Sequence, residues 1–322
     1  MTWAWLPLLM LLGLAGCASV PGANRADDIC RLVPLAQMPL EIRANLLFVW
    51  AKINDEPVTL LVDSGAERTL LTEATVDRLR LPRDTQHATR TFGIGNPTTT
   101  WDAKLPHGIV LGTTRFPVDT VTVGRFDINQ GPDGITVDGL LGADILLAFD
   151  IDLDLPAHLV TFYRGRRGCS DAAPPWKGPH IEISGVTTWR DRLLLPFRLD
   201  GVSGVAVLDT GAQVSSISRS MAERMGLAAA MAEDRTVMAH GASPNQVPVH
   251  LHRFRELNVG PAVINGPVLP IVPMAAGLSD GLIGVDFLRS RRAWLSFSTQ
   301  QIFVTPLQEE PRVAAGRSNP IN

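Results

Sequence analysis

The sequence predicts an all-β protein built from two similar lobes, and three observations carry that expectation. Length is the first, because 322 residues is long for one core and two domains of ordinary size fit it better. Composition is the second. Gly 28 and Pro 24 are both high and aromatics are only 6%, which suits many short strands punctuated by turns. The third is an internal repeat. Residues 58–81 read VTLLVDSGAERTLLTEATVDRLRL and residues 204–227 read GVAVLDTGAQVSSISRSMAERMGL. They align without a gap from Thr59/Val205 to Leu81/Leu227, which marks a duplicated structural unit.

Each copy begins with apolar residues at strand spacing, turns at Asp-Ser/Thr-Gly-Ala, and resumes as a second apolar strand. A short helix follows. Thr72 and Ser218 are candidate N-caps, and Val76 with Leu79, or Ala222 with Met225, fall at helical spacing. A second matching pair lies further on, DGLLGADIL at 138–146 and DGLIGVDFL at 280–288. Between the two pairs sit Gly-bearing segments, Phe92 to Pro97 and His240 to Asn245, which read as hairpin tips. Each half is expected to close on its own apolar strands, Phe149 to Phe162 and Trp294 to Val304. Residues 164–182 carry the Gly, Pro and basic residues of a connector, and 307–322 read as a loose polar tail.

An apolar run ending in Asp-Thr/Ser-Gly resembles the signature of aspartic proteases, and here it occurs twice. The chain resembles the retropepsin and pepsin superfamily over most of residues 40–305, particularly the bacterial retropepsin-like proteins with both lobes in one chain. One D-[ST]-G triplet is a weak signal. Two in register, each followed by a matching D-G-L-[LI]-G segment, are far more specific. The resemblance implies a bilobal, pepsin-like acid-protease fold made of two retropepsin-like β-barrel repeats. In that family the apolar-Gly segment, here Leu140-Leu141-Gly142 and Leu282-Ile283-Gly284, passes behind the Asp loop.

The chemistry implied is peptide hydrolysis by a water held between Asp63 and Asp209, one from each lobe. Two carboxyl groups brought together cannot both ionise cheaply, so one proton is shared and the pair supplies both a base and an acid; the handling of this pKa splitting is well established for the enzyme class. By resemblance Ser64 and Thr210 support the pair through hydroxyl hydrogen bonds between lobes, while Gly65 and Gly211 allow the tight turn. Ala66 and Ala212 follow the triplets where pepsins place a hydroxyl donor. Losing a donor to the charged form raises the pair's apparent pKa, so activity is expected at mildly acidic to neutral pH.

The hairpin tips are candidate flaps, with Phe92, Gly93, Ile94 and Gly95 in one half and His240 and Gly241 in the other assigned to substrate contact. Tyr163 comes too late to be a pepsin-type flap tyrosine. An extended peptide would lie between flaps and aspartates as an added strand. Asp138, Asp144, Asp280 and Asp286 also repeat, but they flank the apolar-Gly strands and read as turn and helix-cap groups.

The amino-terminal segment calls for its own reading. Trp3 to Gly16 is apolar, too short for a membrane span, and ends on Leu14-Ala15-Gly16-Cys17, which resembles a bacterial lipobox. By that resemblance Cys17 becomes a lipidated N-terminus anchored in the outer membrane and facing the periplasm. An ordinary secretory signal with a chance cysteine is the alternative, and the missing basic residue of the n-region favours it. Cys30 and Cys169 remain, and an oxidising envelope favours a bridge between them over two free thiols.

The organisation expected is therefore a signal at 1–16, a tether at 17–35, lobes at 36–165 and 183–306, a linker at 166–182 and a tail at 307–322. Net charge of −3 gives no electrostatic case for nucleic acid. His250 and His252 share a strand face without a Cys or Glu ligand set, so no metal is expected, and no cofactor is implied. G-x-S-x-G is absent, which removes the nucleophile-elbow hydrolases. Since both aspartates lie in one chain, a monomer suffices. The function expected is an aspartic endopeptidase acting on peptides or proteins. A non-catalytic envelope lipoprotein that binds peptides or partners in the same cleft is the rival.

Overall fold

The computed structural model describes residues 30–91, 98–124, 134–166, 168, 169, 173–239, 246–274 and 279–307. It is a two-lobed, predominantly β structure. Each lobe carries a ten-stranded sheet, and the two sheets follow the same strand order. In the first lobe the strand Gly139–Leu141 lies parallel to Glu56–Val62 on one side and antiparallel to Leu70–Thr72 on the other. In the second, Gly281–Ile283 lies parallel to Val202–Leu208 and antiparallel to Ser216–Ser218.

Glycine opens both of these central strands for a steric reason. A Cβ on Gly139 would lie 2.1 Å from the Leu70 carbonyl oxygen, and one on Gly281 2.5 Å from that of Ser216. The aspartates flanking the same strands brace them against the Asp loops. Asp138 accepts from the Thr59 amide at 2.8 Å and Asp280 from that of Val205 at 3.0 Å. Asp144 accepts from Thr69 N and Oγ1 (2.8 and 2.7 Å), and Asp286 from Ser215 N and Oγ at the same distances. The helix-cap role expected of these aspartates is not seen, since Gly142 and Gly284 hold the N-cap positions without a side-chain cap bond. The four carboxylates instead tie the two repeated segments together.

Alternation decides which faces are buried. Val58, Leu60 and Val62 enter the main core, while Leu61 on the opposite face joins Leu46, Phe48, Leu70, Val137 and Leu140 in a smaller cluster beside Ala66. Type I′-like turns close the first hairpins, with positive φ at Asn54 and Asp55 and at Asp200 and Gly201. The helices Glu73–Leu79 and Arg219–Arg224 begin where expected. Thr72 Oγ1 accepts from Thr75 N at 3.1 Å and Ser218 Oγ from Met221 N at 3.0 Å.

The closing strands correct the sequence reading. They do not complete each half separately but join in one six-stranded sheet between the lobes. Its order is Pro34–Pro39, Leu159–Arg164, Phe149–Asp154, Arg292–Ser296, Gln301–Val304 and Ile181–Ile183, and the halves meet where Ile151 opposes Leu295 and Asp152 opposes Trp294. Pairing across the lobes gives the strands Phe149–Asp154 and Arg292–Ser296 a partner on both sides. At this seam the fully buried Asp150 is paired with Arg166 at 2.8 Å and accepts from Ser296 Oγ at 2.6 Å. Arg292 grips Asp152 through two nitrogens at 2.8 and 2.7 Å.

Cys30 and Cys169 are joined by a disulfide, with Cα atoms 5.7 Å apart. Cys17 lies outside the described residues. Among the described residues no helix is long and apolar enough to cross a membrane.

Candidate active site

Asp63 and Asp209 each sit at the end of a strand, in a loop held from behind by the apolar-Gly segment. Asp63 N donates to Leu141 O at 3.0 Å and Asp209 N to Ile283 O at 2.9 Å. Gly65 and Ala66 donate their amides to Asp63 Oδ1 at 3.0 and 2.9 Å, and Gly211 donates to Asp209 Oδ1 at 2.9 Å. A carboxylate fixed by its own loop amides is already oriented before any ligand arrives.

The two loops are locked to each other by a reciprocal set of hydrogen bonds. Ser64 N donates to Thr210 Oγ1 at 2.9 Å, and Thr210 Oγ1 donates to Val62 O at 2.7 Å. In mirror image, Thr210 N donates to Ser64 Oγ at 3.0 Å, and Ser64 Oγ donates to Leu208 O at 2.7 Å. Both side chains are fully buried, so each bond spans the lobe boundary without competition from water.

This clasp brings the carboxyl groups together. A Cβ on Gly65 would fall 2.4 Å from Asp209 Cγ, and a Cβ on Gly211 would fall 2.4 Å from Asp63 Cγ. Each acid thus lies directly over the glycine of the opposite loop. Burial pushes both carboxyls above the usual range. For Asp209 the charge of Asp63 adds to burial, and the result is about 8. On Asp63 burial is opposed by the Ala66 and Gly65 amides, by the hydrogen bond with Asp209, and by the positive charge of Arg192. Two carboxyls this close in a buried place hold a proton more tightly than either would in water.

Arg192 was invisible to the sequence reading. It opens the strand Arg192–Leu199 of the second lobe, yet its guanidinium reaches Glu67 at 3.0 Å and the Gly65 carbonyl at 3.5 Å in the first. The available signal was a difference between the halves, since Leu46 stands at the matching position of the strand Leu46–Ile53.

The flap residues Phe92, Gly93, Ile94, Gly95, His240 and Gly241 lie outside the described residues. The strands leading to them do pair, Thr91 opposite Thr98 in the first lobe and Ala239 opposite Val247 in the second. His252 is paired with Asp234 at 2.7 Å.

Fold and site together define a two-lobed β scaffold in which each lobe contributes one acid to a shared boundary. The family profile described as aspartyl protease matches residues 49–145 and 195–287, more than half of the 322-residue chain and one match per lobe. The chain belongs to that family, in its retropepsin-like form. Among curated proteins it is similar to DNA damage-inducible protein 1 of Phaeosphaeria nodorum (strain SN15), 28% identical over 124 residues. That match covers 38% of this chain and 26% of the relative, so the chain spans about a quarter of that protein's length.

Proposed function

We propose that this protein is an aspartic endopeptidase in which Asp63 and Asp209 activate a water for attack on a peptide bond. One observation carries the reading: the two carboxyls meet across the lobe boundary, each seated over the opposite glycine. In the resting pair Asp63 is the anion and Asp209 carries the proton. A water between them gives a proton to Asp63 while its oxygen attacks the scissile carbonyl. Asp209 donates its proton to the carbonyl oxygen, producing a neutral tetrahedral diol. In the collapse the C–N bond breaks as Asp63 passes its proton to the leaving nitrogen, and a diol hydroxyl gives its proton back to Asp209 as the carbonyl re-forms. The retained proton on Asp209 supports work up to about pH 8.

The peptide would lie extended across the groove beneath the hairpin ends. The lobes at 36–165 and 183–306, joined by 166–182, form one complete site in a monomer under this reading. Lipidation at Cys17 and an outer-membrane location facing the periplasm complete the proposal, supported by the Leu14-Ala15-Gly16-Cys17 segment.

The test is digestion of an unfolded protein mixture by the purified chain, with new termini read by mass spectrometry. New termini with wild type, and none with Asp63→Asn or Asp209→Asn, are expected. Peptide binding without cleavage by wild type would favour the non-catalytic envelope lipoprotein instead.

A further inference from the structure

Each acid ends a strand whose alternate side chains share its face. Leu60 and Val62 enter the main core, and the ladder runs on through Asp63 N to Leu141 O, so Leu61 stands on the face of Asp63. In the second lobe Ala206 and Leu208 enter the core, and Val207 stands on the face of Asp209 in the same way. The pairing around these two residues is equivalent. Leu61 lies between Phe48 and Leu140, and Val207 between Leu194 and Leu282. One strand further, Leu140 opposes Leu70 and Leu282 opposes Ser216.

What occupies the two faces differs. In the first lobe Leu46, Phe48, Leu61, Leu70, Val137 and Leu140 close into one apolar cluster, none of them more than 8% exposed. Ala66 of the Asp63 loop packs against it. In the second lobe Arg192 stands for Leu46, Ser216 for Leu70 and Ser279 for Val137. Among the described residues no such cluster forms there. Val207 is buried but belongs to neither apolar cluster, and Leu194 and Leu282 are only half-buried. The Ser279 hydroxyl donates to the Gly281 carbonyl at 2.9 Å, so it asks nothing of a ligand. The Arg192 guanidinium is held at the lobe boundary, with Glu67 at 3.0 Å and the Gly65 carbonyl at 3.5 Å. Half-exposed leucines beside short serines leave room on the Asp209 face that the chain's own side chains take up on the Asp63 face.

We infer that the two sides of the scissile bond are read unequally: the Asp209 face receives one bulky apolar side chain on Leu194, Val207 and Leu282, and the closed Asp63 face meets a small one. The substrate class is then an extended peptide with a leucine-sized apolar residue on one flank of the cut and a residue such as alanine or serine on the other. Ser216 and Leu194 set this preference, because at the matching positions Leu70 and Phe48 fill the first lobe. The assignment deepens the endopeptidase reading and rests on it for the meaning of the cut.

The experiment uses short fluorescent peptides of alanine and serine that carry no leucine, one leucine, two adjacent leucines or one glutamate. Cleavage by wild type is read by mass spectrometry, and binding by fluorescence anisotropy on Asp63→Asn, which is expected to leave the peptides intact. One leucine should tighten binding at least about tenfold over none, and a second beside it should add little. Wild type should cut single-leucine peptides on one and the same flank of the leucine. Ser216→Leu and Leu194→Phe, each installing the first lobe's residue, should remove most of the leucine gain. If Ser216→Leu does not fold, Leu194→Phe decides, since that position is half-exposed. Cuts on both flanks, an equal gain from the second leucine, a preference for glutamate, or a leucine gain that is absent in the parent or survives these variants overturns the proposal. Failure of the endopeptidase reading would show separately, as leucine-dependent binding with no cut by wild type.

Discussion

Ser64 and Thr210, 146 positions apart, each use one hydroxyl to bond both a backbone amide and a backbone carbonyl of the opposite lobe, at 2.7–3.0 Å. Each hydroxyl donates to one group and accepts from the other, so its single donor hydrogen is spent across the boundary. Thr210→Val keeps the shape but strands Ser64 N and Val62 O in a buried place. Its expected cost is roughly 2–4 kcal/mol, from two unsatisfied backbone groups. Urea unfolding measures the loss, and cleavage should fall with it because the carboxyls lose their alignment.

Gly65 and Gly211 make a sharper prediction, because the space beside each is already filled by a carboxyl. Gly211→Ala would push a methyl into Asp63 and separate the acids. Peptide cleavage should drop by about a hundredfold or more, as expected when reacting groups are misplaced by roughly 1 Å. Circular dichroism should remain that of a β protein. Wild-type rates in this variant would show that the acids do not need to touch.

Stability should depend on pH through Asp209, whose proton is held up to about pH 8. The unfolded chain releases that proton near pH 4, so between roughly pH 4 and 8 the native state binds one proton more. Its contribution is therefore full below the unfolded value and is lost as pH rises through the folded one. Thermal melts of wild type and Asp209→Asn across this range check the sign. The variant should gain relative stability toward pH 8, and a gain toward pH 4 would contradict it.

At the seam between lobes, Arg166 neutralises an Asp150 that has no access to solvent. Arg166→Met leaves a buried carboxylate without its cation, which typically costs about 3–5 kcal/mol. Denaturant midpoints measured at pH 7 test this. Ser296 and Ser298 also donate to Asp150, at 2.6 and 3.1 Å, and would soften the loss.

What the sequence revealed and what it hid have a common physical reason. The Asp loops, their following strands and helices, and the apolar-Gly segments are contiguous and occur twice, so their pattern is readable without knowing any partner. Pairing of Phe149–Asp154 with Arg292–Ser296 is not. An apolar strand has the same composition whether it closes its own lobe or joins the other, because burial sets the pattern and not the identity of the neighbour. Arg192 was hidden for the same reason, since its contact with Gly65 spans 127 positions and two lobes. The bracing role of Asp138 and Asp280 lay between these cases. Their repetition was visible, but their partners Thr59 and Val205 depend on the fold.

The central claim is that two acids act as one unit, and rates of peptide cleavage for Asp63→Asn, Asp209→Asn and the double variant test it most directly. Groups that share one catalytic task are strongly non-additive. Each single variant should lose nearly all activity, about a thousandfold or more, and the double should lose no more than either. A single variant that retains wild-type rates, or losses that multiply in the double, would contradict the shared-proton account.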